Sequence, residues 1–185
     1  MNRSSKTIYR TTFVATCVAL LTICSWLSVP FFINITFQVF AVFLIASVSR
    51  PIISSLSVIC YIALGLIGVP VFSGFGNGIS ALMGASGGFI IGFFISALLI
   101  SLFSDCYSEK RAFHLVIMLA SLVICYLCGT LWYAFVFNYS VHTPLLDSLM
   151  ICVLPFIIPD ALKIFLVWIV YRKLCPYLKR LVEKM

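Results

Sequence analysis

Residues 84–103 read GASGGFIIGFFISALLISLF, twenty consecutive positions without a charged side chain. An α-helix rises about 1.5 Å per residue, so this run forms a helix about 30 Å long, the thickness of the hydrocarbon core of a bilayer. A stretch of this length and composition is typical of a transmembrane helix, and it indicates which class of protein the rest of the chain belongs to.

The composition of the whole chain supports a membrane location. Of its 185 residues, 63% are hydrophobic and 9% are charged, and the mean hydropathy is +1.21. A soluble domain carries about a quarter of its residues as charged side chains to cover its surface. A bilayer removes that need because lipid is itself an apolar solvent. We therefore predict an all-α integral membrane protein that forms a single membrane domain over residues 1–185.

Charged residues, prolines and glycines divide the chain into further apolar runs. The six predicted spans cover residues 11–29, 37–49, 52–67, 84–103, 113–137 and 152–171. Residues 68–79 are dense in glycine, which predicts irregular backbone rather than helix. Residues 138–146 are predicted to be a polar connection.

The positive charges support the count of six and orient the bundle. Lys and Arg concentrate in cytoplasmic loops. If the N-terminus is cytoplasmic, every cation but Lys163 falls on the cytoplasmic side, namely Arg3, Lys6, Arg10, Arg50, Lys110, Arg111, Arg172, Lys173, Lys179, Arg180 and Lys184. The outer connections, near Asn34, Asn77 and His142, contain no Lys or Arg. We expect both termini in the cytoplasm and interpret the net charge of +7 as a sign of orientation, not of a nucleic-acid partner.

A secretory signal peptide is the alternative interpretation of the N-terminus. Residues 3–10 resemble its basic region and residues 13–26 its apolar region. No clear small-residue cleavage site follows before Pro30, and removal of this helix would invert the charge pattern. A first transmembrane helix is the favoured interpretation.

Asp160 and Lys163 are charged residues within the sixth predicted span. An ionisable group at this depth costs at least about 2.5 to 3.5 kcal/mol unless it is paired or solvated. Three residues apart on a helix, the two side chains lie on one face. They form either a structural ion pair or a site for a bound molecule, and intramembrane charge favours the site. Pro155 and Pro159 are expected to interrupt helical hydrogen bonding just before the pair.

Glycine is concentrated in residues 65–92, which hold nine of the ten glycines in the chain. Such a density predicts a loop that folds over the bundle and offers backbone groups to a ligand. Asn77 supplies both a donor and an acceptor there. The alternative for Gly84, Gly88 and Gly92, four residues apart, is close helix packing.

Four motifs together resemble the BioY family, the biotin-specific S components of energy-coupling factor (ECF) transporters. They are YIALGLIGVPVF at 61–72, GASGGFIIGF at 84–93, FFINITFQ at 31–38 and PDALK at 159–163. They occur in the family's order and spacing and cover most of the chain. The chain departs from the family pattern at 84–89, where the family usually has Gly-Pro-Thr-Gly-Gly-Tyr, and at Pro159, where the family often has Gly.

The resemblance implies a six-helix S component that captures biotin near the outer face of a prokaryotic cytoplasmic membrane and is not itself an enzyme. The implied substrate-binding residues are Thr36, Gln38, Asn77, Gly87, Gly88, Phe89, Asp160 and Lys163. Asp160 can accept from the ureido N–H groups of biotin, whereas Lys163 can meet either its carbonyl or its carboxylate. Several aromatic side chains can line the apolar part of such a site, namely Phe32, Phe72, Phe75, Phe89 and Trp168.

The resemblance also implies partners. Ala15 and Ala19 lie four apart on the first helix and resemble the Ala-x-x-x-Ala motif by which S components contact the transmembrane coupling subunit; internal packing is the alternative. The chain contains no Gly-x-x-x-x-Gly-Lys-Ser/Thr sequence. Active transport would therefore draw its energy from partner ATPase subunits.

Other chemistry is weakly supported by the sequence. Cys125 and Cys128 have redox spacing but lie within an apolar helix, and His114 and His142 are predicted on opposite sides of the membrane, so we expect no metal site and no cofactor. An intramembrane hydrolase would need a Ser–His pair or a His cluster. An S component for another vitamin and a structural membrane protein are the alternatives that stay open.

Overall fold

The computed structural model describes residues 3–103, 111–138 and 144–182 and is almost entirely helical. Two short strands, β1 (Ser28–Val29) and β2 (Ile35–Thr36), pair as an antiparallel hairpin. The helices are α1 (Arg3–Trp26), α2 (Gln38–Val48), α3 (Pro51–Leu66), α4 (Gly78–Met83), α5 (Gly87–Leu102), α6 (Arg111–Trp132), α7 (Leu145–Cys152) and α8 (Ile157–Val182). The predicted connections at Lys110 and His142 and the tail at Lys184 lie outside the described residues. The predicted all-helical fold class is confirmed.

Within the described residues, three helical segments are long and apolar enough to cross a bilayer. They are Lys6–Trp26, Ala112–Phe137 and Leu145–Leu174. The last includes α7, a 3₁₀ turn at Leu154–Phe156 and most of α8. Three shorter apolar helices accompany them, Gln38–Val48, Pro51–Leu66 and Gly87–Leu102. Length and composition thus support a membrane protein.

Helix α2 is short for a membrane helix and is largely surrounded by protein. Its 11 residues extend only about 16 Å, well below the thickness of about 30 Å of the hydrocarbon core. Eight of them are buried, as in a helix surrounded by protein. Gln38, its first residue, is buried, and the cavity described below lies at this end of the helix.

Helix boundaries near the last span differ from the prediction. The prediction places residues 145–146 in a polar connection and begins the span at residue 152. In the structure, residues 145–152 form α7, and α8 begins only at Ile157. Pro144 caps α7, Pro155 lies in the 3₁₀ turn, and Pro159 is in the first turn of α8. Proline is tolerated at such starts because the first N–H groups of a helix have no intrahelical acceptor. The prolines therefore mark helix beginnings instead of breaking a longer helix.

The glycine-rich segment, residues 68–86 between α3 and α5, is more ordered than its composition predicts. It contains a 3₁₀ turn at Ser73–Phe75 and the helix α4. Gly68 and Gly78 have φ angles of +101° and +74°, a region that favours glycine. Ser25 donates a hydrogen bond to the Val71 carbonyl, and the Trp26 indole donates to the Pro70 carbonyl at 2.8 Å. These two hydrogen bonds hold the segment against the end of α1.

Close packing of α5 on α6 accounts for several of the glycines. A Cβ added at Gly88 would lie 2.3 Å from the Trp132 Cβ and 2.4 Å from the Cys128 carbonyl oxygen. At Gly92 it would lie 2.9 Å from the Cys125 Cα. Small residues let helices approach in this way. The packing interpretation fits Gly88 and Gly92, whereas Gly84 precedes α5 and its carbonyl accepts from the Trp132 indole at 3.1 Å.

Candidate functional site

A cavity of about 270 Å³ lies at the N-terminal end of α2. It is just below the range of about 300 to 1,000 Å³ that is usual for small-molecule sites. Its walls come from the hairpin segment, the N-terminus of α2, the glycine-rich segment, α5, α6 and α8. Elements from both halves of the sequence therefore enclose one ligand-sized space.

Asp160 and Lys163 form the most polar part of this wall. They are 1% and 4% exposed, and the Lys163 Nζ lies 2.6 Å from the Asp160 Oδ1. Burial of either charge alone would be costly, and the pairing offsets part of that cost. The Tyr126 hydroxyl donates to the Asp160 Oδ2 at 2.9 Å. Both carboxylate oxygens are thus held in place while both charged residues line the cavity.

A second polar group enters from the start of α2. The Thr36 hydroxyl donates to the Gln38 Oε1 at 3.0 Å, and the Gln38 Nε2 donates to the Tyr61 hydroxyl at 2.7 Å. Tyr61 in turn donates to the Val71 carbonyl at 3.0 Å. These bonds fix the Gln38 amide at the cavity and connect it to the glycine-rich segment.

The cover of the cavity joins two loops. The Asn34 Nδ2 donates to the Ser73 Oγ at 2.9 Å, and both residues line the cavity. Asn34 belongs to the hairpin segment, whereas Ser73 begins the 3₁₀ turn of the glycine-rich segment. One hydrogen bond thus connects the two loops where both line the cavity.

Aromatic rings form much of the remaining wall. Phe89 and Phe156 pack with ring centroids 5.8 Å apart. Of the aromatic residues predicted from sequence, three line the cavity, namely Phe32, Phe72 and Phe89. The other two lie elsewhere: Phe75 packs on Trp26 with centroids 5.2 Å apart, and Trp168 packs beside Arg172. The cavity therefore combines apolar rings with a few oriented polar groups, as small-molecule sites do.

The structure brings together five of the eight predicted substrate-binding residues, namely Thr36, Gln38, Phe89, Asp160 and Lys163. The other three do not line this cavity. Asn77 is exposed just before α4. Gly87 and Gly88 are buried, and an added Cβ at Gly87 would lie 1.8 Å from the Leu82 carbonyl oxygen. These two glycines leave room for neighbouring segments of the chain.

Sequence reasoning missed several polar residues of the cavity, among them Tyr126 and Asn34. Tyr126 is one of eight tyrosines and lies in an apolar helix with no neighbouring charge in sequence. Its partner Asp160 is 34 positions away. The sequence predicts Asn34 only as part of an outer connection, although a polar residue within an aromatic loop is a usable signal.

Ala15 and Ala19 lie on a separate surface. Both are exposed and line a groove of about 720 Å³ between α1 and α3. None of the residues that line this groove also lines the cavity. A change in the groove can therefore leave the cavity intact.

The structure describes Cys125, Cys128 and His114, whereas His142 lies outside the described residues. Cys125 and Cys128 are both free thiols, and buried His114 contacts the Ser47 hydroxyl at 2.8 Å. Within residues 3–103, 111–138 and 144–182, no three His, Cys, Asp or Glu side chains are grouped to hold a metal ion.

An all-helical membrane bundle that encloses a ligand-sized cavity around a buried acid–base pair defines a membrane protein that binds a small solute. Residues 1–180 match the BioY family, and the chain belongs to that family. The sequence resemblance is confirmed by this match.

Individual relatives agree with the family match. The biotin transporter BioY of Thermotoga maritima is 35% identical over 147 residues, covering 79% of this chain and 83% of the relative. A probable biotin transporter BioY of Pyrococcus horikoshii is 35% identical over 131 residues, covering 71% and 74%. The fold matches a crystal structure of the S component for biotin from an ECF-type ABC transporter, with a TM-score of 0.83, 26% identity and 95% of both chains covered.

Proposed function

We propose that this protein is the S component of a biotin uptake system and that it holds biotin in the cavity lined by Asp160 and Lys163. The observation that carries the proposal is the pair itself, buried within the bundle and facing a space with aromatic walls. Family membership supplies the substrate class, and the chemistry of the cavity fits it. The mechanism is binding and reorientation, and ATP hydrolysis belongs to partner subunits.

Biotin has two kinds of surface, and the cavity offers a counterpart to each. The ureido ring presents two N–H donors and a carbonyl acceptor, and the valerate ends in a carboxylate. Asp160 is an acceptor, Lys163 is a donor, and the Gln38 amide is both. Phe72, Phe89 and the rings beside them fit the apolar thiophane ring and the alkyl chain. We assign Asp160 to the ureido N–H groups. Lys163 is assigned to either the ureido carbonyl or the valerate carboxylate.

Entry from the outer side is assigned to the two loops of the cover. The Asn34–Ser73 hydrogen bond connects them at 2.9 Å. It is a single neutral contact, worth about 0.5 to 1.5 kcal/mol, so thermal motion breaks it readily. Biotin that contacts both loops would bind the closed arrangement more tightly than the open one, and would therefore favour the closed arrangement.

The proposed topology has six crossings, with both termini in the cytoplasm of a prokaryote. The short helices α2, α3 and α5 would count as crossings together with their adjoining turns and loops. The orientation places Arg10, Arg50 and Lys173 inside, in accord with the concentration of Lys and Arg in cytoplasmic loops. It places the covered end of the cavity outside.

Thiol labelling tests this orientation on the full-length chain. A cysteine at exposed Asn77 (N77C) is expected to react with a membrane-impermeant maleimide in intact cells. A cysteine at exposed Lys173 (K173C) should react only after the cells are made permeable, because the bilayer blocks the reagent. The unsubstituted protein, with its eight cysteines, supplies the background. The reverse labelling pattern would overturn the proposed orientation.

A ligand panel tests the substrate. Purified protein titrated calorimetrically is expected to bind biotin at least about 100-fold more tightly than riboflavin or thiamine. A ligand that leaves the buried polar partners unsatisfied loses roughly 1 to 3 kcal/mol for each such group. Tight binding of another vitamin without biotin would make the protein an S component for that vitamin. Binding of none of the three would favour a structural role for the ion pair.

Partners complete the proposed transport cycle. A transmembrane coupling subunit would contact α1 at Ala15 and Ala19, and ATPase subunits would supply the energy. The exposed groove beside these alanines supports the assignment, because small residues let a second helix approach closely. Reorientation of the whole bundle on the coupling subunit would then release biotin to the cytoplasm.

A further inference from the structure

A second space outside the cavity lies between α1 and the start of α3. It is a crevice of about 380 Å³. Arg10 and Arg50 line it together with the apolar side chains of Val14, Ile53 and Leu56. Neither the binding of a vitamin nor the docking of a coupling subunit at Ala15 and Ala19 uses these two arginines.

Among the described residues that line the crevice, the only charged ones are Arg10 and Arg50. Arg10 lies on α1, Arg50 lies in the turn between α2 and α3, and both are exposed. In the part of the chain that the structure describes, the acidic residues are Asp147 on α7 and Asp160 on α8, and neither lines the crevice. Guanidinium groups bind phosphate oxygens in a bidentate manner. The crevice is therefore complementary to a phosphate monoanion or dianion.

The crevice continues into an apolar groove. Thr11, Val14 and Cys60 line both the crevice and the groove that contains Ala15 and Ala19. Ala19 lies nine positions after Arg10 on α1, about 13 Å along the helix axis. That distance is close to the hydrocarbon thickness of one leaflet, about 15 Å. A free phosphate would contact only the two arginines, whereas the acyl chain of a phospholipid would also cover the apolar groove.

We infer that the crevice between α1 and α3 is a binding site for an anionic phospholipid. Its phosphate pairs with Arg10 and Arg50, and one acyl chain lies along Val14 and Leu56 into the groove. Basic pockets between transmembrane helices bind anionic headgroups by this chemistry. The same groove is the surface proposed above for the coupling subunit, so the lipid would occupy it when that subunit is not bound.

Lipid titration of the purified full-length protein, followed by native mass spectrometry, tests the site. The probes are dioleoyl phosphatidylglycerol, dioleoyl phosphatidylcholine and glycerol 3-phosphate. Phosphatidylglycerol is expected to bind most tightly, and Arg10→Gln or Arg50→Gln to weaken it about fivefold each and about thirtyfold together. Leu56→Trp fills the crevice and is expected to weaken phosphatidylglycerol binding with both arginines present.

A matched pair of substitutions controls for charge. Arg172→Gln with Lys173→Gln removes the same two positive charges from exposed positions on α8 and is expected to leave phosphatidylglycerol affinity unchanged. An equal loss of phosphatidylglycerol affinity in this control would mean that the overall positive charge of the protein attracts the lipid, and it would overturn the proposed site. Unchanged affinity in the Arg10/Arg50 double variant would also overturn it. Glycerol 3-phosphate binding as tightly as the lipid would identify free phosphate as the ligand instead.

Discussion

Replacement of Lys163 by Met is expected to weaken biotin binding by roughly 10- to 150-fold, because one hydrogen bond to a charged group contributes about 1.5 to 3 kcal/mol. The Lys163 ammonium is buried at the cavity wall and already bonded to Asp160 at 2.6 Å. Asp160→Asn is expected to have an effect of similar size, because an amide offers a single carbonyl acceptor in place of a charged carboxylate. Titration calorimetry with biotin measures both losses.

Each single variant also leaves a buried charge without its partner, which destabilises a protein by about 3 to 5 kcal/mol. A loss of binding in one variant alone would therefore be ambiguous between recognition and folding. The double variant, Asp160→Asn with Lys163→Met, removes both charges and hence that penalty. We expect its thermal unfolding temperature to recover toward the wild-type value while biotin binding stays weak.

This combination separates the two interpretations of the pair. If the pair were purely structural, the double variant would recover binding together with stability. Wild-type affinity in the stable double variant would contradict the proposed site. Tyr126→Phe is a third variant and is expected to weaken biotin binding less than the charge substitutions. It removes only the hydroxyl that donates to Asp160 at 2.9 Å.

Replacement of both Ala15 and Ala19 by Trp is expected to abolish assembly with a coupling subunit without changing biotin affinity. Two indoles would fill the groove of about 720 Å³ between α1 and α3 and keep a neighbouring helix from approaching α1. The groove and the cavity share no lining residue. Co-purification of the coupling and ATPase subunits measures assembly, and calorimetry measures biotin binding.

A control on another helix tests whether bulk alone disturbs assembly. Val116 and Ala120 are four residues apart on α6, and both are exposed. Their replacement by Trp is expected to leave the complex intact. Retained assembly in the Ala15/Ala19 variant would overturn the docking proposal, and weakened biotin binding in that variant would point to the alternative of internal packing.

Several features of the fold were predictable because they depend on neighbouring residues. The uncharged stretch at 84–103 indicated a membrane helix, and most of it is the helix α5. The spacing of Asp160 and Lys163 put both side chains on one face of α8, where they form the ion pair. Family motifs then brought Thr36 and Gln38 into the same prediction, and both line the cavity.

Other features differ from the prediction or were absent from it, because they depend on distant partners. Residues 145–152 form a separate helix, since the nearby prolines begin helices here. Gly88 matched a family motif, but the contact that requires glycine is with Trp132 and Cys128 on α6. A glycine in a motif does not reveal whether a ligand or a helix occupies the space beside it.

The sequence by itself determined that this is a helical membrane protein of the BioY family with an acid and a base one turn apart, because hydropathy, helical spacing and motif order are properties of the chain. Tertiary structure alone decided that Tyr126 meets Asp160 and that Asn34 meets Ser73. Helices such as α2 and α5 are apolar on nearly every side, so no polar stripe indicates how each is rotated. Packing between helices sets that rotation, and with it the residues that face the cavity.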